Sequence, residues 1–321
     1  MTFTLSNPLR PAILAASRST RLERGISRSK LTNRLVKRFV PGADEASAVA
    51  AVRALVESGR FISVDYLGED ISHADEAEAT VQAYLSLLEA YRSIGVDPAA
   101  AGARPLEVSI KLSALGQSLP DGEALALVNA RTICAAAEEI GAWVNVDAED
   151  HTTTDSTLRI VRELRQEFPS VATVLQAYLH RTEADCRELA HAGSRIRLCK
   201  GAYKEPAEVA FQSKDDVDAS YLRCLKVLME GQGYPMVASH DPQMIEAAQS
   251  YAREAGRDAD DFEIQMLFGI RDGEQTRLIA DGLRVRTYVP FGNDWYGYFM
   301  RRLAERPANL IFFLRSLVST K

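Results

Sequence analysis

The fold is decided by the stretch LEVSIKLSALGQSLPDGEALALVNARTICAAAEEIGAWVNVDAED at residues 106–150. Its two ends, LEVSI and WVNV, are short runs rich in β-branched residues, which is typical of strands. Between them Ala130, Ile133, Cys134 and Ala137 recur with helical spacing on one face. A strand, a helix and a second strand in this order predict a parallel β-α-β unit.

The same alternation recurs along the chain from Phe61 onward. Eight runs have the length and composition of strands, namely FISVDYLG (61–68), LEVSIKLS (106–113), WVNVD (143–147), TVLQAYL (173–179), RIRLCKGAY (195–203), PMVASH (235–240), FEIQMLFG (262–269) and RVRTYVP (284–290). Eight repeats within roughly 250 residues favour a closed barrel, and no GxGxxG follows the first run. We therefore predict an α/β fold, a (β/α)8 TIM-type barrel at residues 61–321, preceded by extra N-terminal helices at residues 1–60.

Composition narrows the class of protein. The chain has 321 residues, of which 46% are hydrophobic and 26% are charged, as in an ordinary globular protein. A net charge of -6 gives no reason to expect nucleic acid. Its four cysteines form no CxxC pair and no zinc-like cluster, which is typical of reduced thiols in a cytoplasmic protein. We see neither a signal peptide nor a run approaching the ~20 apolar residues of a transmembrane helix.

The start of the chain is strongly basic. The first 38 residues contain nine Lys and Arg against one acid, Glu23. Such a segment is attracted to anionic lipid by about 1 kcal/mol per nearby cation. It also suits a solvated pair of helices packed on an acidic body. Peripheral contact with the inner face of a membrane is therefore one of two expectations for this segment.

Polar residues gather where the predicted strands end. They are Lys111 and Ser113 in the second run, Asp147, Glu149 and Asp150 in and after the third, Gln176 in the fourth, Arg197 and Lys200 in the fifth, Ser239, His240 and Asp241 in and after the sixth, and Arg286 and Tyr288 in the eighth. The carboxyl ends of the strands form the catalytic face of such a barrel. Charges on buried parallel strands break the usual apolar pattern, and this indicates a functional site.

The last predicted helix carries a second polar set. Tyr298, Arg301, Arg302 and Glu305 follow each other at i, i+3, i+4 and i+7, so they share one helical face. The planar fork of arginine binds a carboxylate through two parallel hydrogen bonds. Glu305 would order an arginine or Lys111. The alternative is a solvated charged stripe.

The residues alone leave the chemistry open. No HExxH, GxSxG or phosphate-binding loop is present, and no metal site is predicted. Lys111 and Lys200 suit a Schiff base, as in barrel aldolases. Gly201, in KGAY, permits close approach of the backbone to a ligand and suits a cofactor across the barrel mouth. A non-catalytic, membrane-attached scaffold is a further alternative.

Six segments resemble the motifs of the proline dehydrogenase family. They are VSIKLSALG (108–116), VNVDAED (144–150), TVLQAYL (173–179), IRLCKGAYKEP (196–206), FEIQMLFGI (262–270) and WYGYFMRRLAERPAN (295–309). They occur in the family's order. The resemblance implies FAD-dependent oxidation of L-proline to 1-pyrroline-5-carboxylate, with electrons passed to a membrane quinone. It also implies that a separate pyrroline-5-carboxylate dehydrogenase consumes the product.

The resemblance also implies roles for individual residues. Asp147 and Arg197 correspond to catalytic positions near the flavin. Substrate contacts correspond to Lys111, Leu267, Tyr288, Tyr298, Arg301, Arg302 and Glu305, with the arginines on the carboxylate. Cofactor contacts correspond to Ala148, Gln176, Arg197, Lys200, Gly201, Ala202, Tyr203, Ser239 and His240.

Overall fold

A computed structural model describes residues 36–68, 71–96 and 103–305, with the backbone alone at 301–305. Eight parallel strands close into a barrel in chain order, and the last strand pairs with the first. The strands are β1 (Phe61–Tyr66), β2 (Leu106–Ile110), β3 (Trp143–Val146), β4 (Ala172–Gln176), β5 (Arg195–Cys199), β6 (Tyr234–Ala238), β7 (Glu263–Leu267) and β8 (Val285–Phe291). The predicted (β/α)8 barrel is confirmed.

A helix follows every strand in the described part of the chain, and one helix precedes β1. The helices are α1 (Glu45–Glu57), α2 (Ala74–Tyr91), α3 (Gly122–Glu139), α4 (Thr154–Glu167), α5 (Thr182–Leu189), α6 (Lys214–Glu230), α7 (Pro242–Glu254), α8 (Asp272–Ala280) and α9 (Trp295–Glu305). None of these described helices has the length and apolar composition needed to cross a bilayer.

The chain before β1 packs on the barrel. Helix α1 contacts β1 and β8, and it buries Ala48 and Val52 completely. Phe39 packs against Phe299 of α9, with their ring centroids 6.2 Å apart. The division at residue 60 stays a prediction, and most of the basic segment lies outside the described residues.

Most strands have an apolar outer face and a polar inner face, whereas β4 and β6 also place Val174 and Ala238 toward the cavity. On β2, Val108 and Ile110 pack in a hydrophobic core with Ala130 and Ile133 of α3. The alternate residue Glu107 is completely buried inside the barrel. Because side chains alternate along a strand, the helices cover the apolar set and the barrel interior receives the polar set.

The polar interior is an ionic cluster. Glu107 lies 2.5 Å from Arg195 and 3.0 Å from Arg197, while Arg286 pairs with Glu263 at 2.7 Å. Burial alone would raise the pKa of Glu107, but Arg286, Arg195 and Arg197 outweigh it and lower that pKa to about 2. Paired charges of this kind are tolerated because each ion replaces its lost water with an opposite charge.

The placement of Arg286 corrects one sequence-based expectation. Arg286 is the second residue of β8, completely buried in the ionic cluster and 5.3 Å from the ring centroid of Phe61. It therefore lies at the amino end of the strand, away from the catalytic face. Tyr288, two residues later and on the same side of the strand, does reach that face.

We predict that Glu107→Gln lowers the free energy of unfolding by roughly 3–5 kcal/mol, because it leaves buried arginines without their counter-charge. Urea denaturation measures the change. Glu138→Gln is the matched control, since Glu138 is half exposed and pairs with Arg104 at the surface; it should change stability by no more than about 1 kcal/mol. Equal effects of the two variants would contradict the assigned role of the cluster.

The pairing of Glu107 with buried arginines also predicts that the protein loses stability in acid. The pKa of Glu107 is lowered from an ordinary 4.5 to about 2. A carboxylate with a lowered folded-state pKa contributes its stability above the unfolded value and loses it as the pH falls toward the folded value. We expect unfolding titrations between pH 5 and pH 2 to show a loss of stability that is smaller in Glu107→Gln than in the parent protein.

Candidate active site

A cavity of about 490 Å³ opens at the carboxyl ends of the strands. All eight strands, or the residues that directly follow them, contribute to its wall. Its lining residues are Asp65, Lys111, Asp147, Ala148, Val174, Gln176, Arg197, Cys199, Lys200, Gly201, Ala202, Tyr203, Ala238, Ser239, His240, Asp241, Gln265, Met266, Leu267, Tyr288 and Tyr298. The volume falls within the range of roughly 300–1,000 Å³ that is usual for ligand sites.

The β1, β2, β3 and β8 side of the cavity carries a bonded charge network. Lys111 donates to Asp65 at 2.6 Å and lies 3.7 Å from Asp147. Tyr288 donates to Asp147 at 2.8 Å, and its hydroxyl is 3.4 Å from the Lys111 ammonium. Burial and the nearby Asp147 raise the pKa of Tyr288 well above its ordinary value. Tyr288 therefore acts here as a neutral hydrogen-bond donor.

Arg197 joins this network to the barrel interior. Its guanidinium donates to five side chains, namely Ser63, Glu107, Ser109, Asp147 and Gln265. The contact with Asp147 is 2.7 Å. A guanidinium held on every side cannot reorient, so it presents a fixed positive charge beneath the cavity.

The β4, β5 and β6 side carries a different polar set. Lys200 follows β5 and lies between Asp218, at 2.5 Å, and Asp241, at 2.9 Å. Gln176 donates to the Glu149 backbone carbonyl at 2.7 Å, which ties β4 to the loop after β3. These contacts fix the strand-end loops around the cavity.

His240 connects β6 to β7. Its Nε2 accepts a hydrogen bond from the backbone N–H of Leu267 at 2.9 Å. Arg271 donates to the His240 carbonyl at 2.6 Å. An accepting Nε2 places the proton of a neutral imidazole on Nδ1. The ring is thus held in one tautomer beside Ser239.

The structure shows a reason for a glycine at position 201 that differs from the one suggested by the sequence. Gly201 has a φ of +119°, and a Cβ at this position would lie 2.4 Å from the ring of Tyr178. The close approach is therefore to a protein side chain from the segment after β4. The glycine still shapes the cavity, because it lets the chain turn from β5 across the barrel mouth.

The cavity gathers most of the site residues predicted from the sequence. Every residue to which the family resemblance gives a role and whose side chain is described lines it, including Tyr298 from α9. Of the other polar residues at the predicted strand ends, Asp241 also lines it, whereas Ser113, Glu149, Asp150 and Arg286 are not in its wall. Arg301, Arg302 and Glu305 belong to α9, but their side chains lie outside the described residues. Their assignment stays a prediction.

The sequence reasoning missed several cavity residues. Asp65 is the most important of these, because it is an acid on an apolar strand and is buried at the site. Gln265 and Cys199 also line the wall; burial raises the pKa of the Cys199 thiol to about 12, so it stays protonated at neutral pH. A signal for both was present in the sequence. Asp65 comes two positions after Ser63, and Gln265 comes two positions after Glu263, so each pair lies on one face of its strand.

The surroundings of the two cavity lysines bear on the alternative of a Schiff-base aldolase. Lys111 and Lys200 each face two carboxylates. Schiff-base lysines are instead found in apolar surroundings or beside another cation, where the free amine is favoured. Within the described residues no three His, Cys, Asp or Glu side chains are grouped so as to hold a metal.

The fold and cavity thus define a (β/α)8-barrel enzyme with an ionic site at its catalytic face. Comparison with known proteins gives the family. The family model described as proline dehydrogenase matches residues 48–315. The proline dehydrogenase of Deinococcus radiodurans is 40% identical over 312 residues, which is 96% of this chain and 97% of that protein. Proline dehydrogenase 1 of Bacillus subtilis is 38% identical and covers 88% of this chain and 90% of its own.

The chain belongs to the proline dehydrogenase family. Its relatives are oxidoreductases by name, and it is an enzyme of this kind. The fold has a solved counterpart in proline utilization A from Bdellovibrio bacteriovorus, inactivated by N-propargylglycine, with a TM-score of 0.81. The two chains are 24% identical in sequence, and the match covers 92% of this chain and 36% of the other. This structural similarity supports the barrel fold alone.

We predict that Gly201→Ala lowers the free energy of unfolding by at least about 1–3 kcal/mol, from backbone strain and the collision with Tyr178. Gly273→Ala is the control, because Gly273 lies in α8 with no atom within 4 Å of an added Cβ. That variant should be neutral or more stable by up to about 1 kcal/mol. Urea denaturation compares the two, and an unaffected Gly201→Ala would refute the close approach.

Proposed function

We propose that the protein oxidises L-proline to 1-pyrroline-5-carboxylate with FAD as its redox cofactor, and that a membrane quinone reoxidises the flavin. The observation that carries the proposal is the bonded set of Lys111, Asp147, Arg197 and Tyr288 at the catalytic face, in a chain of this family. A separate dehydrogenase would then consume the product.

The cavity suits a flavin by its position at the catalytic face and by its hydrogen-bond donors. Residues Ala148, Gln176, Arg197, Lys200, Gly201, Ala202, Tyr203, Ser239 and His240 would hold it. Lys200 lines the cavity and keeps 28% of its side chain exposed, while Asp218 and Asp241 hold its ammonium in place. Gly201 has a positive φ and lines the cavity directly after β5. FAD would supply the acceptor for a hydride from the carbon beside the ring nitrogen.

Arg197 and Asp147 would serve as catalytic groups through charge. The fixed guanidinium of Arg197 lines the cavity and would stabilise negative charge on a flavin ring bound there. The Asp147 carboxylate neutralises the Arg197 guanidinium and accepts a hydrogen bond from the Tyr288 hydroxyl. Both groups are held by other side chains before any ligand arrives, so they need no rearrangement during the reaction.

Substrate would bind between this network and α9. Lys111, Leu267, Tyr288 and Tyr298 line the cavity and would surround the proline ring. Arg301 and Arg302 would take its carboxylate and Glu305 would order them, as the family resemblance implies. Two arginine forks fix both the position and the tilt of a carboxylate, and thereby the distance between the reacting atoms.

An anaerobic absorbance spectrum before and after addition of L-proline tests the proposal. We expect a flavin spectrum that bleaches with L-proline and is unchanged by D-proline. A flavin that fails to bleach would move the substrate to another amine. A protein that neither contains nor binds FAD would refute the proposal.

We predict that Arg301→Ala raises the KM for L-proline at least tenfold, because the carboxylate loses a charged partner. Steady-state kinetics with an artificial quinone measures the change. Arg277→Ala is the control, since Arg277 is half exposed and pairs with Glu274 on α8. An unchanged KM in Arg301→Ala would remove Arg301 from the substrate site.

A further inference from the structure

Asp65 has a carboxylate oxygen without a partner. Oδ2 accepts the hydrogen bond from Lys111 at 2.6 Å. Oδ1 is buried and has no hydrogen-bond partner among the described residues. The whole residue is only 1% exposed, and it lines the cavity. Buried polar atoms are nearly always bonded, so an oxygen without a partner in a residue that lines the cavity indicates a missing donor.

We propose that Oδ1 of Asp65 accepts the hydrogen bond and then the proton of the substrate's secondary ammonium group. The inference rests on the proposed function, which makes a cyclic amino acid the substrate. At neutral pH the nitrogen of such a substrate carries two protons. It has no lone pair to support loss of a hydride from the neighbouring carbon until one of these protons is removed.

The step balances within the site. The N–H bond breaks, its electron pair stays on nitrogen, and an O–H bond forms at Asp65. The lone pair then forms the C=N bond as the adjacent C–H bond gives up a hydride to the flavin of the proposed function. Asp65 thus stores the proton, while the cofactor receives both electrons.

The groups around Asp65 suit a carboxylate that changes charge. Lys111 faces it from the end of β2, Asp147 from β3, Tyr288 from β8 and Tyr84 from α2. Burial raises the pKa of Asp65 to about 6, Lys111 opposes that rise, and Asp147 adds to it. Asp65 therefore takes up a proton far more readily than an ordinary carboxylate does.

When Asp65 is protonated, the Lys111 ammonium still has a negatively charged neighbour. It lies 3.7 Å from the Asp147 carboxylate and 3.4 Å from the Tyr288 hydroxyl. The ammonium is therefore neutralised in either state of Asp65. Asp147 has Arg197 at 2.7 Å and the Tyr288 hydroxyl at 2.8 Å, so its oxygens are already engaged. Of the two carboxylates, Asp65 has the oxygen available for the substrate.

The first test uses binding, with no turnover. Tetrahydrofuran-2-carboxylate keeps the ring and the carboxylate but replaces N–H with an ether oxygen, which only accepts hydrogen bonds. It would bind next to Oδ1 only when Asp65 is protonated. We expect its Kd, measured by calorimetry on the flavin-loaded protein, to rise about tenfold per pH unit above pH 6.

Asp65→Asn should abolish this pH dependence, because the amide NH2 donates a hydrogen bond at every pH. Asp281→Asn is the matched control, since Asp281 is half exposed and pairs with Arg277 on the outside of the barrel; it should keep the parent slope. A Kd that is independent of pH in the parent protein would overturn the inference. The same slope in Asp65→Asn and the parent would overturn it as well.

The second test follows anaerobic bleaching by L-proline in a rapid-mixing instrument. Asp65→Asn should bleach roughly 10²–10⁴-fold more slowly at pH 7, the range usual for a lost general base. The difference between the bleaching rates of the variant and the parent protein should disappear near pH 10. At about this pH the substrate amine loses its proton without a base, as a lysine ammonium does. Equal rates at pH 7 would refute the role of Asp65 and leave the proposed function intact. Failure of the parent protein to bleach would instead refute the proposed function.

Discussion

The contact on which the rest of the structure depends is the bridge that Arg197 forms between Glu107 and Asp147. Glu107 belongs to the ionic cluster inside the barrel, and Asp147 belongs to the cavity wall. One guanidinium therefore neutralises a carboxylate in each layer. Because a buried ion that loses its partner costs several kcal/mol, the geometry of the cavity is coupled to the packing of the barrel core. The site lies on strand ends that cannot shift independently of the interior.

The buried charges form a chain in which signs alternate. Glu263 pairs with Arg286, which lies 4.0 Å from Glu107, and Glu107 pairs with Arg197. Asp147, Lys111 and Asp65 continue the sequence to the cavity wall. Each ion between the two ends thus has an opposite charge on both sides. The series ends inside the barrel at Glu263 and at the cavity at Asp65, where one oxygen has no hydrogen-bond partner among the described residues.

The sequence predicts the fold well because its decisive signals are local. Strand composition, helical spacing and the count of eight repeats are readable within short windows, and the barrel follows from their order. The site was predictable where a polar residue follows an apolar run, as with Lys111, Asp147 and His240. Asp65 was missed because it lies within the run FISVDYLG and does not follow it, although Ser63 and Asp65 already show the polar alternation of an inner face.

Other features depend on contacts that a sequence does not display. The need for Gly201 comes from the Tyr178 ring, which belongs to a different strand connection. Arg286 and Tyr288 share one face of β8, so their pattern is the same in sequence, yet one lies inside the barrel and the other at its mouth. Depth along the barrel axis is set by the register of β8 against β1, which pairs Arg286 with Phe61 and Tyr288 with Ser63.

Under the proposed function, the arrangement of the cavity would place two transfers, of a hydride and of a proton, on opposite walls. The proposed cofactor residues come mainly from β4, β5 and β6, whereas Asp65, Lys111 and Tyr288 come from β1, β2 and β8. In a closed eight-stranded barrel β1 and β5 face each other. A ring held between these walls would direct the hydride of its carbon toward one wall and the proton of its nitrogen toward the other. The charged wall would then receive the proton, and the opposite wall would hold the group that receives the hydride.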